Sequence, residues 1–229
     1  MNKFFFNIST SFSFSNAWLK CLILTSFLFL SACTITSDEL SKEANEAALN
    51  NPLWKTHQAE VEKIALSEYS AKGSFAYIST DFRQSASFYW EQQSKESYHL
   101  RLLNPLGQTV IFITVDDNQT KITDDKGQVY NYSNPEEAIL DLANMDIPLT
   151  QLRLWMLGLP GEATEITLNS NYELAAALYK SKESNLIWQV KYINYDRNLP
   201  TSLPSQLEIV QKNGDEELTI KLKINRWKS

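Results

Sequence analysis

Few side chains in this 229-residue sequence have the type and spacing for chemistry. There are two histidines, His57 on a segment of helical spacing and His99 beside an exposed strand position. A hydrolytic nucleophile would have to be Ser74, Ser85 or Ser87 with one of these histidines as base, and nothing in the sequence brings them together. Neither a Gly-x-Ser-x-Gly elbow nor a His-Glu-x-x-His pair is present. Two histidines without neighbouring cysteines or paired carboxylates do not make a zinc site. Asp116-Asp117 and Asp124-Asp125 are acid pairs, but both fall in polar breaks that read as solvated turns. The six glycines are spread singly, so no loop can cradle a phosphate. The expectation is a protein that is not an enzyme and uses no cofactor or metal.

The remaining reactive group is a thiol. Lys20 precedes Cys21–Leu30, a mostly apolar run that fits the core of a secretory signal. It is too short to span a bilayer as a helix, which takes about 20 residues. The run ends in Leu30-Ser31-Ala32-Cys33, the pattern of a bacterial lipobox. In that pattern the chain is cut before Cys33, whose sulfur carries diacylglycerol and whose new amine is acylated. The alternative is an ordinary signal in which Cys33 is incidental, and the long Phe- and Ser-rich stretch before Lys20 is unusual for either. The expected division is a removed signal at 1–32, an acylated tether at 33–51 ("TITSDELSKEANEAALNN" after the cysteine) and one domain at 52–229. Thr34 stands where an Asp would signal retention at the inner membrane, so the expected destination is the outer membrane, on its periplasmic face.

Cys21 leaves with the signal and Cys33 carries lipid, so the domain has no disulfide to lean on. At this length one sizeable core is feasible. The whole chain has a formal charge of −6, and the signal removes two lysines and no acid. Nucleic acid is therefore excluded as a partner, and no polybasic segment is present to hold an anionic membrane.

The elements that must position these residues follow from periodicity. Asn51-Pro52 opens a helix carrying Trp54, Gln58, Val61, Ile64 and Ala65. Alternating segments follow at Ser74–Ile78, Ala86–Trp90, Tyr98–Leu102 and Thr109–Val115. Asn134-Pro135-Glu136-Glu137 reads as a capping box opening a second helix. A third starts at Pro148 and stops at Gly158-Leu159-Pro160. Strands resume at 163–168, 173–179, 186–195, 206–210 and 218–226, the last with Leu218, Ile220, Leu222 and Ile224 in strict alternation. The reading is a mainly antiparallel β domain, a curved sheet or barrel, with one helix before it and two between its halves. Phe88-Tyr89-Trp90, Leu102-Leu103, Val110–Val115 and Leu186–Trp188 put large residues on both faces. That surplus fits either an aromatic sandwich core or a sheet curled around an apolar cavity with the helices as its lid.

The hairpin "HLRLLNPLGQTVIFITV" (99–115) carries a leucine at its tip. Asn104, Pro105 and Gly107 fit a type I turn that leaves Leu106 at its third position. The turn gives Leu106 no obvious core to join.

Several stretches together resemble the LolB family of outer-membrane lipoprotein receptors. They are the lipobox, "GSFAYIS" (73–79), "FYWEQQ" (88–93), "YHLRLLNPLG" (98–107), "DDKGQVY" (124–130), "IPLTQLRLWMLGLPG" (147–161) and "IKLKINRW" (220–227). The resemblance runs in order along the whole mature chain. It implies an unclosed antiparallel β-barrel, a half-barrel, under an α-helical lid with a hydrophobic cavity between. It implies that the protein accepts acylated lipoproteins from the soluble periplasmic carrier LolA and inserts them into the inner leaflet of the outer membrane without ATP. The implied partners are the LolA–lipoprotein complex, the acyl chains and outer-membrane phospholipid, with the receptor itself a monomer. It also implies that Leu106 projects and serves membrane insertion. Phe88, Trp90, Leu102, Ile111, Trp155 and Trp188 are the residues expected to wall the cavity. The competing readings are a scaffolding lipoprotein with a filled core and a periplasmic lipid hydrolase.

Overall fold

The computed structural model describes residues 45–81, 83–116, 119–143, 145–182, 186–213 and 216–229. The signal, Cys33, Thr34 and most of the tether lie outside the described residues.

Eleven strands form one sheet in the order β6-β5-β4-β3-β2-β1-β11-β10-β9-β8-β7. The first meander is β1 (Tyr69–Ile78), β2 (Arg83–Gln92), β3 (Tyr98–Leu103), β4 (Thr109–Asp116), β5 (Gln119–Asp124) and β6 (Val129–Tyr132). The second is β7 (Glu165–Leu168), β8 (Leu174–Lys180), β9 (Ile187–Asp196), β10 (Leu203–Asn213) and β11 (Glu216–Lys228). Every pairing is antiparallel, and the two meanders join where β1 meets the C-terminal strand β11. The edges are β6 and β7, which do not pair with each other, so the barrel is unclosed.

That topology dictates the lid. The chain leaves one edge at β6 and re-enters at the other edge, β7, so the intervening segment has to span the opening. It does so with α2 (Pro135–Ala143) and α3 (Leu149–Leu157); α1 (Pro52–Ala65) precedes the sheet. Asn51 caps α1, its Oδ1 accepting from Leu53 N at 2.8 Å. Asn134 caps α2, accepting from Glu137 N at 2.7 Å. The Glu137 carboxylate does not reach back to Asn134; it takes the Ser133 hydroxyl at 2.9 Å instead. Gly158 ends α3 in the left-handed region (φ 83°), where Leu159 N donates to Leu154 O at 3.0 Å. Residues 45–49 form a further helical turn, and Asn45 Nδ2 donates to Ile166 O of β7 at 2.7 Å. The end of the tether therefore belongs to the folded unit.

One face of the sheet is buried, as period-two alternation requires. Along β1, Tyr69, Ala71, Gly73, Phe75 and Tyr77 turn inward, and along β3, Tyr98, Leu100 and Leu102 do. Gly73 sits at a bulge against β11. A Cβ there would collide with the Lys223 carbonyl and the Phe88 ring, so glycine lets the sheet bend where the wall is tightest. The outer face is polar and cross-braced. Arg101 pairs with Glu91 at 3.3 Å and lies over the rings of Tyr89 and Phe112.

Candidate functional site

Between the sheet and the lid lies a wholly apolar trough. Its floor is Phe75, Phe88, Trp90, Leu100, Leu102, Ile220 and Leu222; its roof is Ile139, Met145, Ile147, Leu149, Leu152 and Met156. The free space is about 40 Å³. A cavity of about 150 Å³ is needed to hold one benzene ring, so the trough as it stands admits no acyl chain. Among the described residues the expected hydrophobic cavity is not open: sheet and lid meet in an apolar seam. The physical reason is that atoms lining an empty apolar space lack dispersion partners, so close packing of roof on floor is favoured. Two of the roof residues are methionines, whose flexible thioethers repack at little cost.

Phe88, Trp90 and Leu102 line this trough. Ile111, Trp155 and Trp188 do not, which corrects their expected place in its wall. Ile111 lies opposite Leu102 on the same sheet face but one strand further out, and is half-buried. Trp155 points to the other half of the sheet, edge-on to Tyr179 with ring centroids 5.7 Å apart. Trp188 sits across from Tyr179 in the β8–β9 ladder. Trp155 and Trp188 fill the β8–β9 side, Ile111 lies beyond β3 on β4, and the trough is left to β1, β2, β3 and β11. Sequence reasoning missed Phe75, Ile220 and Leu222 as wall residues, although their alternation placed each on one face. Met145 and Ile147 carried no periodic signal, because they lie in the link between α2 and α3.

Leu106 is 83% exposed. Gly107 N donates to Asn104 O at 2.9 Å, and Gly107 takes a left-handed φ of 79°. Asn104 Oδ1 accepts from Leu106 N and Gln108 N, both at 3.0 Å. The result is a type I turn closed by a left-handed glycine. The tip is four residues beyond Leu102, at most about 13 Å from the trough wall along one hairpin.

A polar end adjoins the apolar trough. Trp90 stacks on Tyr98, centroids 4.3 Å apart and planes 16° apart. Trp90 Nε1 donates to Gln92 Oε1 at 2.9 Å, and Gln92 Nε2 donates to the Ser94 and Ser97 carbonyls of the β2–β3 turn. Beside them α3 presents Arg153, only 9% exposed. Its Nη1 and the hydroxyls of Tyr69 and Tyr98 are buried with no partner at full hydrogen-bond geometry, and its guanidinium opposes the rise that burial gives the pKa of the Tyr69 hydroxyl. Burial pushes both tyrosine hydroxyls well above their ordinary pKa, keeping them protonated. Nothing in the sequence had marked Arg153. It is buried because α3 is covered on one side by the sheet and on another by α1.

The hydrolase constellation does not assemble. Ser74, Ser85 and Ser87 face outward on β1 and β2. His99 pairs with Glu91, four residues along β2 from Ser87 and so about 13 Å away. His57 is half-buried in α1, where burial lowers its pKa against the opposing pull of Glu173 and Glu60. Among the described residues no group of three or more His, Cys, Asp or Glu side chains is placed to hold a metal, and no helix is long and apolar enough to cross a membrane.

The comparisons with known proteins agree with this geometry. The model of the family described as outer membrane lipoprotein LolB matches residues 67–227. The chain is 39% identical over 208 residues to the outer-membrane lipoprotein LolB of Photorhabdus laumondii, covering 91% of this chain and 94% of that one. It is 40% identical over 206 residues to the protein of the same name from Serratia proteamaculans, covering 90% and 94%. Among solved structures, a LolA superfamily protein from Nitrosomonas europaea matches with a TM-score of 0.51 at 12% identity, covering 76% of this chain and 92% of that one. A DUF1329 family protein from Desulfovibrio piger matches with a TM-score of 0.54 at 8% identity, covering 80% and 92%. These two show a shared fold. By the family model and the full-length identity, the chain belongs to the LolB family of outer-membrane lipoproteins.

Proposed function

We propose that this protein is an outer-membrane receptor that takes acylated lipoproteins from the periplasmic carrier LolA and delivers them to the inner leaflet of the outer membrane. It is held on the periplasmic face by lipid on Cys33. The observation that carries the reading is the pairing of a lidded, wholly apolar trough with a bare Leu106 on the hairpin that forms its wall.

Three acyl chains bring about 45 methylenes. At about 0.8 kcal/mol each, exposing them to water costs on the order of 35 kcal/mol. A barrier of that size makes free escape far too slow for a cell. Passing the chains from one apolar lining to another removes the barrier and leaves a transfer close to even in free energy. No nucleotide, metal or reactive group is then required. Leu106 placed in lipid contributes roughly 1.5–3 kcal/mol, small beside the anchor on Cys33. Its role is to open the leaflet at the trough mouth.

The closed trough also fits a scaffolding lipoprotein with a filled core. Capture separates the readings. A form carrying Cys33→Ala is mixed with an acylated lipoprotein bound to LolA. Transfer of the lipoprotein supports the receptor. Ester turnover would support a hydrolase, and the absence of both would leave a scaffold.

A further inference from the structure

The proposed function assigns the apolar trough to acyl chains but says nothing of the polar junction where those chains meet the lipoprotein. That junction is chemically definite: a cysteine whose sulfur carries a glycerol with two ester carbonyls and whose amine carries an amide carbonyl. All three are hydrogen-bond acceptors and none is charged.

At the end of the barrel, beside the trough, a second pocket of about 200 Å³ opens to solvent. Arg153 and Tyr98 are in its wall, with Thr120 and Thr150. Tyr98 is also the outer plate of the Trp90 stack, and Trp90 lines the trough, so one aromatic pair separates the polar pocket from the apolar one. Arg153 Nη1 and the hydroxyls of Tyr98 and Tyr69 are buried with no partner at full hydrogen-bond geometry, although the guanidinium lies close enough to the Tyr69 hydroxyl to pull its pKa down against the effect of burial. A buried guanidinium N–H without an acceptor is costly, on the order of the desolvation of a charged group. Arginine has only donors to offer, and Arg153 forms no ion pair among the described residues. Glu136, on the lid, accepts from Thr150 N at 2.8 Å. Apart from the Tyr69 oxygen beside Arg153, no acceptor among the described residues takes these donors at full hydrogen-bond geometry.

The charge around it selects the kind of acceptor. Lys95, Glu96 and Asp116 stand on the rim with Arg153, and Glu136 lies behind Thr150. Cations do not exceed anions, so a phosphate or free carboxylate would meet as much repulsion as attraction. A neutral carbonyl meets none. Arg153 also borders a groove beside α1. The end pocket is favoured because Tyr98 shares it and because it continues the trough.

We propose that Arg153, with the hydroxyls of Tyr98 and Tyr69, forms a carbonyl-binding pole at the end of the trough that holds the ester and amide oxygens of the acylated cysteine. This rests on the trough being the acyl-chain site. The pole would fix the depth to which the lipid enters and leave the peptide in solvent.

The test uses the chain carrying Cys33→Ala, so that no lipid of its own competes. Two probes are delivered from cyclodextrin: a triacylated cysteinyl peptide (the carbonyl-bearing probe), and its ether analogue, in which methylenes replace the two ester carbonyls and the amide is kept so that the cysteine nitrogen is uncharged in both. The carbonyl-bearing probe should bind about tenfold or more tighter, as expected for hydrogen bonds to a charged donor. Arg153→Met should abolish the preference for the carbonyl-bearing probe, and the conservative Tyr98→Phe should reduce it. Equal affinity for both probes, a preference that survives Arg153→Met, or an equal loss of both probes in that variant would overturn the pole. Failure of the unsubstituted chain to bind either probe would instead overturn the acyl-chain trough on which the pole depends.

Discussion

Asn104 and Asp124 perform the same task in two hairpins of the first meander, β3–β4 and β5–β6. Asn104 Oδ1 accepts the N–H groups of Leu106 and Gln108, and Asp124 Oδ1 accepts those of Lys126 and Gln128 at 2.9 and 2.8 Å. Each turn ends in a left-handed glycine with φ 79°, Gly107 and Gly127. One tip carries Pro-Leu and the other Asp-Lys. The turn is thus indifferent to what rides on it, and Leu106 is separable from the fold.

The first prediction follows directly. Leu106→Glu removes no contact and should change unfolding free energy by no more than about 0.5 kcal/mol. It should leave capture of lipoprotein intact and stop its delivery to vesicles. Normal delivery by this variant would remove the role assigned to the leucine.

Gly107→Ala and Gly127→Ala should each cost about 1 kcal/mol in urea unfolding, and by the same amount. A Cβ at either site meets nothing within 4 Å, so the cost is backbone strain alone. Gly73→Ala should cost distinctly more, because its Cβ has no room. Equal effects at all three would contradict the bent wall at Gly73.

Acid should weaken the protein in two stages. His57 is held below its ordinary value of 6.5 chiefly by burial. It is neutral when folded, so stability falls as pH drops below about 6.5 and the unfolded chain takes up the proton first. Burial raises the Glu173 carboxyl, but hydrogen bonds from Asn169, Ser202 and Arg197, with the Arg197 charge at 2.6 Å, outweigh that and leave it below 4.5. Its contribution is present above pH 4.5 and is lost as pH falls through the depressed value. Thermal melts from pH 8 to 3 should show the first stage abolished by His57→Gln. Arg197→Met should cost about 1–3 kcal/mol at neutral pH and flatten the second stage.

Met156→Ala should lower stability by about 2–5 kcal/mol by leaving space under the lid. It should nevertheless keep or increase affinity for a triacylated peptide, since the room it creates is room the ligand needs. A loss of affinity matching the loss of stability would mean that the roof residue is only core.

Nine of the eleven described strands and all three labelled helices were legible in the sequence, because alternation and capping are local signals; β5 and β6 are short and were marked only by the polar break at Asp124-Asp125. The turn that carries Leu106 was legible as well, spelled by Asn104, Pro105 and Gly107, but that its side chain projects was implied only by the family resemblance. Which half of the sheet the lid would cover was not. Trp155 and Trp188 have the pattern of inward residues, but inward has two destinations here. The choice is made by the unpaired edges β6 and β7, which only the assembled topology reveals. Arg153 was invisible for the opposite reason: an arginine on a short helix reads as solvent-facing until a second helix covers it. Tyr172 was hidden too. It takes a φ of 58° in the Asn169–Glu173 turn, the place that glycine holds in the other two hairpins.

Fluorescence quenching tests the central claim most directly, because tryptophans mark both halves of the interior. A triacylated peptide with brominated acyl chains is added to the Cys33→Ala form and to its Trp90→Phe and Trp188→Phe variants. If acyl chains part the lid and lie on the floor of the trough, quenching is strong, is largely lost in Trp90→Phe and persists in Trp188→Phe. Absence of quenching, or quenching that survives the loss of Trp90, would show that the chains do not enter between sheet and lid.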